Sequence, residues 1–439
     1  MKLGMYIKEA WYDLRKSRVY SAVYIIGTGF SLALVMAYLT VQSMHFDNSY
    51  PEVHRDRMLV IPTFMEAQRG SEGGSNARVS QEFIDRFIRN EPVEGLEALT
   101  AVAYEPAMVV NDLGEAVSSV ASNVDTEYWK VFELDFLYGH ALSETSWNQA
   151  APEAVVCGSL ARALYGREDI VGERIFINDR EFRVCGVVRD VPQTASFAFS
   201  QLWLPDLDGD ARSAGLKQFI GRPTLLGEYY VYLLARDRSD FRAIRETLEG
   251  RLERYNNGSD VEWVYSYQTG IPSVREMALR WTGMTSTSFT WIGIGIMFFI
   301  LLIPMINLSG MVGSRMEARM SEFGVRKSFG AWRGDVLQQI TGENLLLTLL
   351  GGVLGLVLSY LLLGVFSEQL NGMVPGEAIA TAFSMEEVEA AVFSVRDFFK
   401  LKLYVLLLAI VLVLNIVSAL IPAAKVIRRP ITDSLNSAK

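Results

Sequence analysis

The residues from which most catalytic and metal centres are built are scarce here: 439 residues include two cysteines and three histidines. His45, His54 and His140 stand in no metal-ligand spacing, and neither HExxH nor a paired CxxC occurs, so no zinc or other metal site is expected. No GxSxG elbow is present to expose a nucleophilic serine. The dipeptide Gly-Lys does not occur, which excludes the GxxxxGK[ST] loop that cradles nucleotide phosphates. The chain is therefore read as a non-enzyme, without catalytic residues, a metal or a bound cofactor of its own.

Charge is also missing, but only locally. Four stretches lack Asp, Glu, Lys, Arg and His: Val19–Met44, Trp281–Ser314, Asn344–Ser367 and Leu403–Ala424, of 26, 34, 24 and 22 residues. Roughly 20 apolar residues in a helix cross the hydrocarbon core of a bilayer, so each stretch is long enough to span it. Between the first two, the longest uncharged run is Val191–Pro205, and it contains Gln193, Thr194, Ser196, Ser200 and Gln201. That part of the chain is expected to be soluble. The first stretch exceeds the roughly 7–15 residues of a signal-peptide core and lacks a cleavage site, which points to a retained anchor. No charge interrupts any span, whereas ion-coupled transporters place ionisable groups there. Asn307 and Asn415 are read as interhelical hydrogen-bonding residues, Pro304 as a kink, and Gly351, Gly352 and Gly355 as a helix-packing face.

Lys and Arg mark the cytoplasmic ends of membrane helices. They flank the first span at Lys2, Lys8, Arg15, Lys16 and Arg18, recur from Arg315 to Arg333, and return at Lys425, Arg428, Arg429 and Lys439. Both termini are thus expected in the cytoplasm. The layout that follows is an amphipathic cytoplasmic helix (1–18, with Trp11 at the lipid interface), a first span (19–44) and an extracytoplasmic domain (45–285). A second span (286–313), a cytoplasmic segment (314–342), a third span (343–367), a short outer loop (368–401), a fourth span (402–425) and a tail (426–439) complete it. Residues 45–280 carry 37 acids against 24 Lys and Arg, which gives no basic footprint for nucleic acid and favours solubility.

Within the outer domain, strand-like runs at 58–62, 154–157, 174–177, 181–188 and 229–234 alternate with helical patterns at 81–90, 126–134, 159–166 and 239–255. The expected class is α+β. GSEGGSN at 70–76 reads as a loop and Asn178-Asp179 as a tight hairpin turn. Cys157 and Cys185 sit in apolar surroundings and are read as buried free thiols in neighbouring strands, although a disulfide is chemically permitted in that compartment.

The segment RMEARMSEFGVRKSFGAWRGDVLQQITGENLLLTLLGGVLG from Arg315 resembles the signature of FtsX-like permeases. The matching positions are Glu322, Phe323, Gly324, Val325, Arg326, Lys327, Ser328, Phe329, Gly330, Ala331 and Arg333. The stretch from Leu137 to Pro192 resembles the MacB-type periplasmic core, and PAAKVIRRPITDSLN from Pro422 resembles the family's ending. The resemblance to the macrolide-exporter branch concerns its permease half alone. It implies a four-span permease of a type VII ATP-binding-cassette (ABC) transporter in a bacterial inner membrane. The eleven matching residues would form the coupling helix, with Phe329 as the apolar anchor, seated in a separate cytoplasmic ABC ATPase that binds ATP and Mg. A second permease, identical or paralogous, and a periplasmic adaptor or other extracytoplasmic protein complete the implied partners. The implied mechanism is mechanotransmission, for efflux of a peptide or small toxic molecule, with lipoprotein release or cell-wall-hydrolase regulation as alternatives. A membrane-anchored extracytoplasmic sensor is the reading from another class.

Overall fold

The computed structural model describes residues 18–69, 74–148, 152–192, 195–207, 209, 217, 218, 220, 224–265, 270–279, 283–318, 333–365 and 401–427. In chain order the helices are α1 (Arg18–Phe46), α2 (Gln81–Ile84), α3 (Tyr128–Val131), α4 (Gly158–Tyr165), α5 (Phe241–Asn256), α6 (Val274–Ala278), α7 (Ser286–Ala318), α8 (Arg333–Val365) and α9 (Leu401–Ile427). The strands are β1 (Met58–Ile61), β2 (Phe64–Gln68), β3 (Gly74–Val79), β4 (Leu96–Asn111), β5 (Ala116–Val124), β6 (Phe136–Gly139) and β7 (Glu153–Cys157). After these come β8 (Arg174–Ile177), β9 (Arg180–Val188), β10 (Leu202–Pro205), β11 (Leu226–Gly227), β12 (Tyr230–Ala235) and β13 (Val261–Tyr265). The described residues divide into two compact units, one holding α1, α7, α8 and α9 and the other drawn from Met44–Ser286.

In the helical unit, α1, α7, α8 and α9 are each long and apolar enough to cross a membrane. Helix α7 runs through Pro304 without a break. Leu32, Val35 and Met36 of α1 form a core with Tyr404, Leu407 and Val411 of α9, one residue from each turn of either helix.

The outer unit is organised by β4. Its sixteen residues have two different neighbours on one edge: Leu96–Val102 pair with β12, and Val109–Asn111 pair with β8. On the other edge β5 follows β4 from Val102 to Val110. From β5 the hydrogen bonding passes to β10, β7, β9 and β8, and β8 returns it to β4, so these six strands close into a ring. Val109, Val120, Val155, Val184, Ile175 and Trp203 belong to the core built on this ring. Beyond the ring, β12 and β1 extend one edge and β6 the other. A second sheet, β11-β3-β2-β13, has its own aromatic core, with Phe64 4.9 Å from Phe83 and 5.8 Å from Trp263 between ring centroids. Helix α5 covers it with Ile244, Leu248 and Leu252, spaced one turn apart.

Local chemistry sets the corners. Asn178 and Asp179 both adopt positive φ (49° and 65°) and join β8 to β9, which is the two-residue turn their side chains favour. Gly166 ends α4 at φ 68°, and its N–H returns to Arg162 O. Cys157 and Cys185 lie on the paired strands β7 and β9, both buried and both free. They are not opposed: Cys157 pairs with Val188, and Cys185 occupies the irregularity between Ala154–Val184 and Val155–Gly186.

Two sequence expectations need correcting. The loop read at 70–76 ends earlier, because Gly74, Ser75 and Asn76 belong to β3 and pair with Ala67, Glu66 and Met65. The helix read at 126–134 shrinks to a single turn, Tyr128–Val131. Phe132 is extended and buried, and the next residue donates its N–H to Pro51 O instead of continuing a helix.

Candidate functional site

In the helical unit the site is built from close helix approach. A Cβ at Gly355 would lie 2.9 Å from Gly29 O and 2.9 Å from Leu32 Cβ, and one at Gly351 would lie 3.0 Å from Thr28 Cβ. A Cβ at Gly29 would come within 3.1 Å of Gly351 O. Non-bonded carbon atoms settle at about 3.5–4.0 Å, so glycine at these three positions is what lets the backbones of α1 and α8 meet. Gly352, about 100° further round α8, faces α9: its Cβ would lie 2.7 Å from Leu408 Cδ1, and Tyr404 OH donates to Gly352 O. The three glycines singled out in α8 thus serve two contacts.

Beside this seam a hydrogen-bonded junction joins α1, α8 and α9. Asn415 Nδ2 donates to Tyr24 OH (2.8 Å) and to Thr348 Oγ1 (3.0 Å). Tyr24 OH lies 2.9 Å from Thr348 Oγ1, and Thr348 donates its own proton to Asn344 O at 2.8 Å. With the threonine proton so committed, Tyr24 donates to Thr348 while accepting from Asn415, and the network closes with one orientation of the Asn415 amide. All three side chains are buried. Hydrogen-bonded side chains of this type join helices where no water competes. Asn415 was legible in the sequence as a lone amide in an apolar run. Tyr24 and Thr348 were not, because neither stands out against apolar neighbours. The Asn307 side chain lies outside the described residues.

The coupling residues Glu322, Phe323, Gly324, Val325, Arg326, Lys327, Ser328, Phe329, Gly330 and Ala331 also lie outside the described residues. Arg333 opens α8, and its side chain is likewise not described. The amphipathic segment 1–17 falls outside them as well.

The outer unit contains a cavity of about 1170 Å³ between the 88–93 turn, the first half of β4, Asp125–Glu127, Trp147 and Arg236. Its acidic side chains already have partners. Asp125 accepts from Thr100 Oγ1 (2.7 Å), Ala101 N (3.1 Å), Glu127 N (3.2 Å) and Arg89 (2.6 Å). Burial pushes the Asp125 carboxyl above its ordinary value, and these donors only partly offset it. Asp206 accepts from Tyr229 OH at 2.5 Å, Glu97 pairs with Arg57, and Glu127 pairs with Lys130. The arrangement binds a turn to a strand and leaves no carboxylate pair poised for acid–base chemistry. Burial pushes both thiols, Cys157 and Cys185, up to about 12, so neither is a nucleophile at neutral pH. Among the described residues no group of His, Cys, Asp and Glu side chains has the arrangement of a metal site.

The MacB-like periplasmic core domain family matches residues 21–251, more than half of the chain, and the FtsX-like permease C-terminal family matches residues 294–431. The chain belongs to the FtsX-like, MacB-type permeases. It is 24% identical over 298 residues to the uncharacterized ABC transporter permease YknZ of Bacillus subtilis, a match covering 68% of this chain and 70% of YknZ. It is 23% identical over 283 residues to the macrolide export ATP-binding/permease protein MacB of Escherichia coli, covering 64% of this chain but 40% of MacB. The crystal structure of the periplasmic region of MacB from Actinobacillus actinomycetemcomitans is similar at 15% identity with a TM-score of 0.35, covering 52% of this chain and 94% of that one. The protein is thus an ABC transporter permease of the MacB and YknZ type, with an α+β domain between the first two of four apolar helices.

Proposed function

We propose that the protein is the permease subunit of a type VII ABC transporter that works by mechanotransmission with a separate cytoplasmic ATPase. In this reading ATP-driven closure of the ATPase displaces the segment 314–342, the four helices carry the displacement across the inner membrane, and the outer domain does the work. One observation carries the proposal: a single chain joins a MacB-like periplasmic core to an FtsX-like permease end, with the core inserted between α1 and α7. Helix packing through Gly29, Gly351 and Gly355, braced by the Tyr24–Thr348–Asn415 junction, suits helices that move as a body instead of lining a pore. No ATP or Mg site is assigned to this chain. The nucleotide belongs to the partner, which the coupling residues Glu322 to Ala331 and Arg333 engage, with Phe329 as the buried anchor. Two copies, or one copy and a paralogue, assemble with two ATPases, and the exported class is a peptide or small toxic molecule.

Affinity purification of the tagged protein from its native membrane in mild detergent tests this. A cassette ATPase should remain bound, and Phe329→Asp should reduce its recovery at least tenfold. Unchanged recovery from the variant would remove the coupling assignment. A lipoprotein or a cell-wall hydrolase retained in place of an export adaptor would redirect the function within the family. Absence of any ATPase would turn attention to the outer domain as a sensor.

A further inference from the structure

The chain leaves α1 at Phe46 and re-enters the helices at Ser286, and within the outer unit the two connecting segments are tied to each other. Val60 N donates to Pro272 O at 2.9 Å, Leu59 bridges Ser273, and the Arg275 guanidinium lies 5.0 Å above the Phe46 ring. Helix α6 therefore rests on the start of β1 and on the turn Arg55–Arg57.

At the root of this clasp is a buried ion pair. Arg55 Nε donates to Glu52 Oε2 at 2.5 Å, and both side chains are almost wholly enclosed, at 3% and 0% exposure. The other carboxylate oxygen of Glu52 accepts from Phe197 N (2.8 Å) and Ala198 N (3.0 Å), in the segment that leads into β10 of the closed ring. A buried ion pair is a poor source of stability, because desolvation of both charges offsets their attraction. What it fixes is geometry, since each atom of the carboxylate has a designated donor. Glu52 is not needed by the family's coupling segment or by the helix seam, and its place at the first crossing point calls for another account.

We propose that Glu52 is a positioning residue of force transmission: through Arg55 and the 197–198 backbone it holds both connecting segments and the strand ring as one stiff body, so that the outer domain follows its helices instead of hinging at the junction. The inference rests on the mechanotransmission reading above. A merely structural Glu52 would affect stability alone, whereas a coupling Glu52 sets how sharply the outer unit is positioned relative to the helices.

The test uses the full chain with spin labels at Phe30→Cys and Leu137→Cys, both exposed positions, diluted with unlabelled protein in lipid nanodiscs. The native thiols are buried and do not compete for label. The wild-type clasp should give a narrow distance distribution. Glu52→Gln with Arg55→Met removes both charges together, while the introduced amide oxygen still accepts from Phe197 and Ala198; it should broaden the distribution at least twofold with thermal unfolding little changed. Arg275→Met, which removes only the cation over Phe46, should broaden it less and covers the case in which the double variant does not fold. Unchanged widths in folded variants would overturn the proposal. Addition of the ATPase with ATP and vanadate separates the two ideas: an immobile wild-type mean distance counts against mechanotransmission, while the nucleotide-free width still decides the clasp.

Discussion

Glu276 shows how one carboxylate positions a chain segment. It accepts from Ser273 N (2.7 Å) and Ser273 Oγ (2.8 Å), which makes the capping box of α6, and from Arg245 of α5 at 2.6 Å. Burial pushes its carboxyl up, but the Ser273 and Arg245 donors together outweigh burial and hold it below the ordinary value of 4.5. A depressed folded value means that the ionised form contributes stability above the unfolded value and that this contribution is lost as pH falls through the folded one. The outer unit should therefore melt at a lower temperature as pH is taken below 4.5, with exchange of the 270–279 amides rising first. Glu276→Gln should lose about 1 kcal/mol at neutral pH, the typical size of a helix cap, and show a flatter acid limb. An acid limb identical to the wild type would show that other carboxylates govern it. The serine and glutamate three residues apart are a signature readable without a structure, but their link to Arg245 is not, since it joins residues 31 apart in sequence.

Legibility at the level of elements followed how each element satisfies its surroundings. Helices α7, α8 and α9 were plain because an unbroken apolar run of such length has few other solutions. The longest strand, β4, escaped notice because LEALTAVAYEPAMVVN is apolar on both faces and contains Pro106, which argues against a central strand. It is tolerated because β4 exchanges one edge partner for another around that point: β12 ends at Val102 and β8 begins at Val109. Strands β3 and β5 were hidden by Ser, Asn, Gly and Ala, whose strand state is imposed by their neighbours. The glycines of α8 were visible as a set, but their division between two helices follows from geometry around the axis. Gly355→Leu should separate α1 from α8, since its first side-chain carbon alone would fall 2.9 Å from Gly29 O. Overpacking of this kind costs about 1–3 kcal/mol. It should lower the detergent unfolding midpoint and loosen the Tyr24–Thr348–Asn415 junction, whereas the same change at Gly364, where a Cβ meets no neighbour, should be neutral. Equal effects at the two positions would refute the packing role of Gly355.

For the whole molecule the sequence left the functional segment and the working domain in unequal positions. Residues 322–331 are recognisable by resemblance alone, because their role depends on a second protein and no periodicity within the chain encodes it. The outer domain is different, since its physical independence is written in its own contacts. Its two cores draw only on residues between Met58 and Val274, and no side chain of α7, α8 or α9 enters them. Its two ends are joined by the Leu59–Ser273 bridge and the Val60–Pro272 hydrogen bond, so cutting the chain near Phe46 and Leu279 removes no strand from either sheet. A fragment of residues 46–279 should accordingly be soluble and unfold in one cooperative transition, with its melting temperature within a few degrees of the outer domain in the full chain. A fragment that binds hydrophobic dye and shows no cooperative melt would mean that the helices supply stability the cores do not. In that case the outer domain would be held together partly by its anchors, and a displacement of those helices would act by loosening the domain instead of carrying it.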